Sequence, residues 1–173
     1  MGEGQRTQIV FAEPRCLHKN RLDELNALLD SRFAFHSDWT RDFPHMRFFL
    51  LYRDDGGTKT RKRKKLASCV GISLRPGDPM SLWNVATALG EEGKGYSSCL
   101  LRHVQVWAHA RRPFQQVWLL IEDDAPQWLH TFYGKLGFRR SQRAKVRGLW
   151  EEEGVKMVYC QPRRSSRLSR PCH

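Results

Sequence analysis

Residues 84–101, NVATALGEEGKGYSSCLL, hold the arrangement in this chain best suited to chemistry. A strand-like run ends near Thr87, and a loop with Gly93 and Gly95 follows it. A helix with small residues at its start comes next. Glycine lets the backbone turn tightly and approach a ligand closely. The first turn of a helix presents N–H groups without intrahelical partners and the positive end of the helix dipole. Together these make a site for an anion such as a pyrophosphate, with no metal required. Ser97 and Ser98 are small and leave the approach open. Packing alone also produces glycine turns before helices, so the stretch does not decide the matter by itself. The spacing excludes a P-loop, which needs G-x-x-x-x-G-K-[ST]. It lacks the third glycine of the dinucleotide fingerprint.

The elements that must hold this loop are legible from periodicity. Residues 8–12 read as a short strand stopped by Pro14. Leu22, Leu25, Leu28 and Leu29 recur at helical spacing between Asn20 and Arg32. An irregular stretch, 33–45, holds Trp39 and Pro44. Strands are expected at 46–53, 66–75 and 81–88, with turns at 54–57 and 76–79. The crossing helix runs from 96 to about 110, and Pro113 ends that region. A strand at 116–121 leads into the acids Glu122, Asp123 and Asp124. Trp128, Leu129, Phe132, Tyr133 and Leu136 share one face of a further helix, and Gly137 stands where a helix C-terminal glycine belongs. Strands at 138–142 and 155–160 close the pattern, joined by a loop containing Gly148 and 151–154. The order predicts a mixed α/β (α+β) domain.

The glycine loop resembles the acyl-CoA loop of the GNAT N-acetyltransferase superfamily. In that family a strand leads to [Gln/Arg]-x-x-Gly-x-[Gly/Ala] and then to a helix with paired leucines. Here Val85, Ala86 and Thr87 match the strand end. Gly93, Lys94 and Gly95 match the centre, and Leu100 and Leu101 follow in register. FYGKLGF at 132–138 is close to the family's FYxKLGF signature and lies in the right order downstream. Three positions depart from the pattern. Glu92 replaces the Arg or Gln, Ser97 the last Gly/Ala, and Leu89 a common proline. The Asn found in the family before the second helix has no match, as Ala125 and Pro126 occupy that region.

The resemblance implies a central mixed, mostly antiparallel sheet flanked by helices, and acetyl-CoA as co-substrate without a metal. Cofactor contacts are then expected from Val85, Ala86, Thr87, Glu92, Gly93, Lys94, Gly95, Tyr96, Ser97, Ser98 and Tyr133. The reaction is attack of a neutral amine on the acetyl group with the thiolate leaving. Tyr133 holds the family position of the acid, and Glu122 is the first choice as base, with a water held by backbone carbonyls as the alternative. Backbone groups of a splayed strand pair at 85–87 and 117–121 would receive the pantetheine amides. Glu91, Glu92, Glu122–Asp124 and Glu151–Glu153 read as loop acids near the mouth, which would favour a cationic acceptor: a protein N-terminus or lysine, or a small polyamine-like amine.

The net charge of +12 invites a nucleic-acid reading. Its location argues otherwise. Removing the six basic residues of 59–65 and the four arginines of 163–173 leaves +2 for all the rest. The expected organisation is a single domain over 1–162, a basic hairpin loop at 54–65 and a disordered basic tail over 163–173. Aromatics interleaved with charge, as in single-strand binders, are absent from both basic stretches. The five cysteines contain no C-x-x-C pair, which points to reduced thiols in the cytoplasm. RKRKK at 61–65 resembles a nuclear-import signal and keeps the nucleus open as a second address. No membrane span is expected, and the oligomeric state stays open between monomer and dimer. Two alternatives stand beside the active enzyme: a catalytically weak CoA- or protein-binding module of this fold, and a nucleic-acid binder using the loop and tail.

Overall fold

The computed structural model describes residues 6–33, 45–55, 64–75, 79–111, 116–146 and 152–159. The irregular stretch at 34–44, the turns at 56–57 and 76–78, the basic residues 59–63 and the tail after 159 lie outside them. Seven strands and three longer helices are described: β1 Thr7–Ala12, α1 Lys19–Asp30, β2 Met46–Asp54, β3 Lys64–Ser73, β4 Met80–Thr87, α2 Tyr96–Arg111, β5 Val117–Glu122, α3 Gln127–Lys135, β6 Phe138–Val146 and β7 Glu152–Tyr159. A single 3₁₀ turn, Pro14–Cys16, follows β1. The sheet order is β1-β2-β3-β4-β5-β7-β6. All neighbours are antiparallel except β4 and β5, which run parallel. A parallel pair needs a crossover, and α2 supplies it.

Both faces of the sheet are covered. One face packs on α2 and α3, with Leu100, Leu101 and Val104 of α2 fully buried against Val70, Ile72, Leu119 and Ile121. The other packs on α1, whose Leu25, Leu28 and Leu29 meet Phe48, Leu50 and Cys69. Each such leucine contributes about 1.5–3 kcal/mol by leaving water. The Gln105 amide donates to the Leu136 carbonyl at 2.8 Å and ties α2 to the end of α3. Gly137 follows α3 at φ +87°, so the expected glycine stop is in place.

Three charged strand ends extend by two residues or more beyond the sequence reading, for one reason. β3 begins at Lys64, so Lys64 and Lys65 pair with Asp54 and Arg53 rather than lying in the loop. β6 continues to Val146 through a register shift between Arg140 and Arg143. β7 begins at Glu152, so Glu152, Glu153 and Gly154 are strand and not loop. These charged ends have no apolar alternation to reveal them, and cross-strand hydrogen bonding extends them. Gly154 is required there: a Cβ would stand 2.2 Å from the Ile121 carbonyl oxygen.

Candidate active site

The sheet opens where its two parallel strands meet. Met80 pairs with Val117 and Ser81 with Trp118, and the paired register stops there. Beyond that point β4 and β5 diverge, while β5 continues to pair with β7 through Glu122. Among the described residues, the backbone of 82–87 that faces the gap has no strand partner on that side. A bulge adds to this. Cys69 faces Ala86 and Gly71 faces Trp83, so β4 carries one residue more than β3 over this step. Asn84 absorbs it at φ +48°, a left-handed conformation that asparagine tolerates better than most residues.

The glycine loop lies at the end of this wedge. Gly90, Gly93 and Gly95 have φ of +78°, +74° and +81°, and among the described residues beyond their chain neighbours no atom lies within 4 Å of where a Cβ would stand on any of them. The glycines answer to backbone conformation, and no described side chain fills the space over them. The Cys99 N–H bonds the Gly95 carbonyl at 2.9 Å, which makes Gly95 the N-cap of α2. Glycine has no side chain that could cap the first turn of the helix, so Gly95 itself offers no competitor to a ligand there. The fit to an elongated anionic co-substrate is therefore good: a glycine cradle, a glycine-capped helix N-terminus and a strand edge that, among the described residues, has no paired neighbour.

Buried polar contacts fix the loop's shape. Ser68, fully buried on β3, donates to the Ala86 carbonyl at 2.7 Å and lies 3.1 Å from the Ser97 hydroxyl. The Thr87 and Ser97 hydroxyls also bond one another. Hydroxyls on β3, β4 and α2 thus lock the strand end to the helix start. The Glu91 side chain, expected at an acidic mouth, is instead buried at 4% exposure for the residue. The Arg53 guanidinium donates to its Oε1 from Nε at 2.9 Å and Nη2 at 2.7 Å, and Lys94 donates to Oε2 at 2.9 Å. Glu92 turns outward and pairs with Arg32. Lys94 is thus spent on Glu91, and Arg32 compensates Glu92. Of the acids read as a mouth, Glu122, Asp123 and Asp124 remain exposed there, while Glu151 lies outside the described residues.

Hydrogen bonds from Arg53 and Lys94 hold the Glu91 carboxyl below its usual 4.5. A carboxyl lowered on folding stabilises fully above that value and loses its contribution as pH falls through the lowered one. Glu91→Gln is therefore expected to destabilise by roughly 1–3 kcal/mol at neutral pH, the range for a stranded buried polar partner. The difference from wild type should shrink below about pH 4, read by urea midpoints across pH. A constant difference down to pH 3 would contradict it.

The other expected site residues divide by face. Ala86 and Tyr96 are buried, in the clusters under α1 and under α2 respectively, so each offers the loop its backbone and not its side chain. Val85 packs half-buried on the α2 side. Val117, Leu119 and Ile121 of β5 point into the α2–α3 layer. Alternation places Glu122 on the opposite face, exposed, at the same end of the sheet as Thr87. Tyr133 is 6% exposed on the inner face of α3, between the rings of Phe132 and Phe138 at 5.1 and 5.7 Å. Burial pushes its phenol well above the ordinary value. Arg32, Arg53 and Ser68 were missed by sequence reasoning, because no local spacing marks partners that sit tens of residues away.

Among the described residues no group of three His, Cys, Asp or Glu could hold a metal ion. No described helix is long and apolar enough to cross a membrane.

No family model matches the sequence. No curated relative matches it either. Solved structures do. The ribosomal-protein-S18-alanine N-acetyltransferase from Escherichia coli superposes at a TM-score of 0.65 with 17% identity, covering 89% of this chain and 93% of the other. An acetyltransferase of the GNAT family from Staphylococcus aureus gives 0.62 at 14% identity, covering 88% and 98%. This chain has the GNAT fold. A spermidine N-acetyltransferase from Vibrio cholerae gives 0.59 at 14%, covering 88% and 91%.

Proposed function

We propose that the chain is an N-acetyltransferase that moves an acetyl group from acetyl-CoA to a primary amine in a ternary complex. The observation that carries this reading is the wedge beyond Ser81 and Trp118, continuous with a glycine loop that leads into the N-terminus of α2. The loop and the N–H groups of 96–98 bind the pyrophosphate, and the free edge of β4 hydrogen-bonds the pantetheine amides. The cofactor brings an activated acyl group, and the residues here orient it. Glu122 takes the proton of the incoming ammonium, since only the neutral amine attacks. Tyr133 holds a hydrogen bond for the departing sulfur.

The acceptor is a protein N-terminus, a lysine or a small polyamine. Similar folds carry names for both kinds, a ribosomal-protein alanine and spermidine. The exposed acids at 122–124 support a cationic acceptor, and the ion-paired Glu91 and Glu92 do not add to that support. We place the protein in the cytoplasm, with the basic residues 59–65 as the feature to test for nuclear entry.

Acetyl-CoA at about 100 times its Kd should stabilise the fold by about 2.7 kcal/mol, which appears as a rise in melting temperature. Thiol release with a panel of peptides and polyamines then identifies the acceptor. A melting temperature unmoved by millimolar acetyl-CoA would sink the reading. A shift without thiol release from any amine would favour a CoA-binding module without turnover.

A further inference from the structure

The anion loop carries an acid at the position where the family pattern has Arg or Gln, and the structure pairs that acid with a cation from another element. Arg32 lies just past the end of α1, 60 residues from Glu92. Its Nη2 bonds the Glu92 carboxylate, and its Nε donates to the Thr87 carbonyl at 2.6 Å. One guanidinium therefore spans the loop, from the last residue of β4 to the residue before Gly93. The contact with Thr87 fixes where the guanidinium stands, whatever Glu92 does.

We propose that Arg32 is the residue that supplies the loop's positive charge, reaching in from α1 to bind the pyrophosphate of the acyl-CoA co-substrate, with Glu92 as its resting partner. The assignment rests on the acyl-CoA reading above. Arg32 has five N–H donors, and the two bonds described use two of them. A guanidinium also matches phosphate oxygens in bidentate geometry. The Arg32 and Glu92 side chains are 26% and 49% exposed. Ion pairs this wet contribute little, so exchanging the carboxylate for a more highly charged phosphate group is cheap. The same pair hides the Glu92 charge, which would otherwise repel the co-substrate at close range. Lys94 cannot take this role without leaving Glu91.

The test is calorimetric titration of the full chain with CoA and, separately, with pantetheine, which lacks the pyrophosphate. Wild type, R32Q, E92Q, R32Q/E92Q and R32K are compared. R32Q should weaken CoA by about tenfold or more and leave pantetheine within about twofold. E92Q should bind CoA as tightly as wild type or more tightly. R32Q/E92Q should stay about tenfold weaker than E92Q, because the donor to phosphate is still missing. R32K keeps the charge without the fork and should fall between wild type and R32Q, which preserves the comparison if R32Q folds poorly. Wild-type affinity in R32Q/E92Q would overturn the assignment, since Arg32 would then act only by neutralising Glu92. Equal CoA affinity in wild type and R32Q would overturn it too. A wild-type chain that binds neither CoA nor pantetheine would overturn the acyl-CoA reading itself.

Discussion

Gly154→Ala is expected to destabilise the fold by about 3 kcal/mol or more, at the upper end of what overpacking costs. The added Cβ would stand 2.2 Å from the Ile121 carbonyl oxygen, 2.9 Å from its carbonyl carbon and 3.2 Å from the Glu122 Cα. All three are backbone atoms of β5, so no side chain can swing away to make room. β5 must shift, and it is the strand that forms one wall of the wedge. Its register puts Gly154 opposite Glu122, so any relaxation moves the proposed base first. The substitution should lower the urea midpoint with little change in slope, and the folded remainder should show reduced turnover. Gly134→Ala is the control. That residue lies in α3 with nothing within 4 Å of an added Cβ, so the change should be neutral or stabilising by roughly 0.5–1 kcal/mol. Equal midpoints for the two variants would show that β5 and β7 are not packed as described.

The same pair of strands shows what the sequence could and could not tell. Where apolar residues repeat on α1 and α2 the reading is close, whereas Trp128, read onto the apolar face of α3, is exposed. Leu25, Leu28 and Leu29 on α1, and Leu100, Leu101 and Val104 on α2, are all buried as their spacing requires. Gly137 ends α3 through a positive φ, which is a local property of one residue and so is visible locally. The charged ends of β3, β6 and β7 look like loop in the sequence because their pairing partners, not their own side chains, make them strands. The site divides the same way. Gly93 and Gly95 declare themselves through backbone geometry. Glu91 and Glu92 are neighbours of identical type, and the sequence assigns both to a solvated mouth. One is buried on Arg53 and the other paired outward with Arg32, because the arginines arrive from β2 and α1. Arg53 lies near the end of a buried strand, and Arg32 follows a helix. Neither carries a local mark of the loop it meets in space.

Tyr133→Phe should lower kcat by about 10- to 100-fold, the worth of one hydrogen bond to a charged group, while leaving CoA affinity and stability nearly unchanged. The ring is packed between Phe132 and Phe138, and phenylalanine keeps that packing. Only the hydroxyl is lost. Its burial sets what it can do. Desolvation raises the phenol above its usual 10.0, so it keeps its proton across the neutral range. A free thiol titrates near 8.5, which makes this phenol a weaker acid than the thiol it would protonate. Full proton transfer to the sulfur is uphill. A hydrogen bond that strengthens as charge gathers on the sulfur is not, and water can complete the protonation later. The pH profile follows with its sign. The rate should rise with pH as the amine loses its proton, and no fall caused by Tyr133 should appear below about pH 10. Y133F should trace the same rise at a lower level. A descending limb near pH 8–9 in wild type that Y133F lacks would mean the phenol ionises far more easily than its buried setting allows. A kcat within twofold of wild type would remove Tyr133 from the reaction and leave it as a core aromatic.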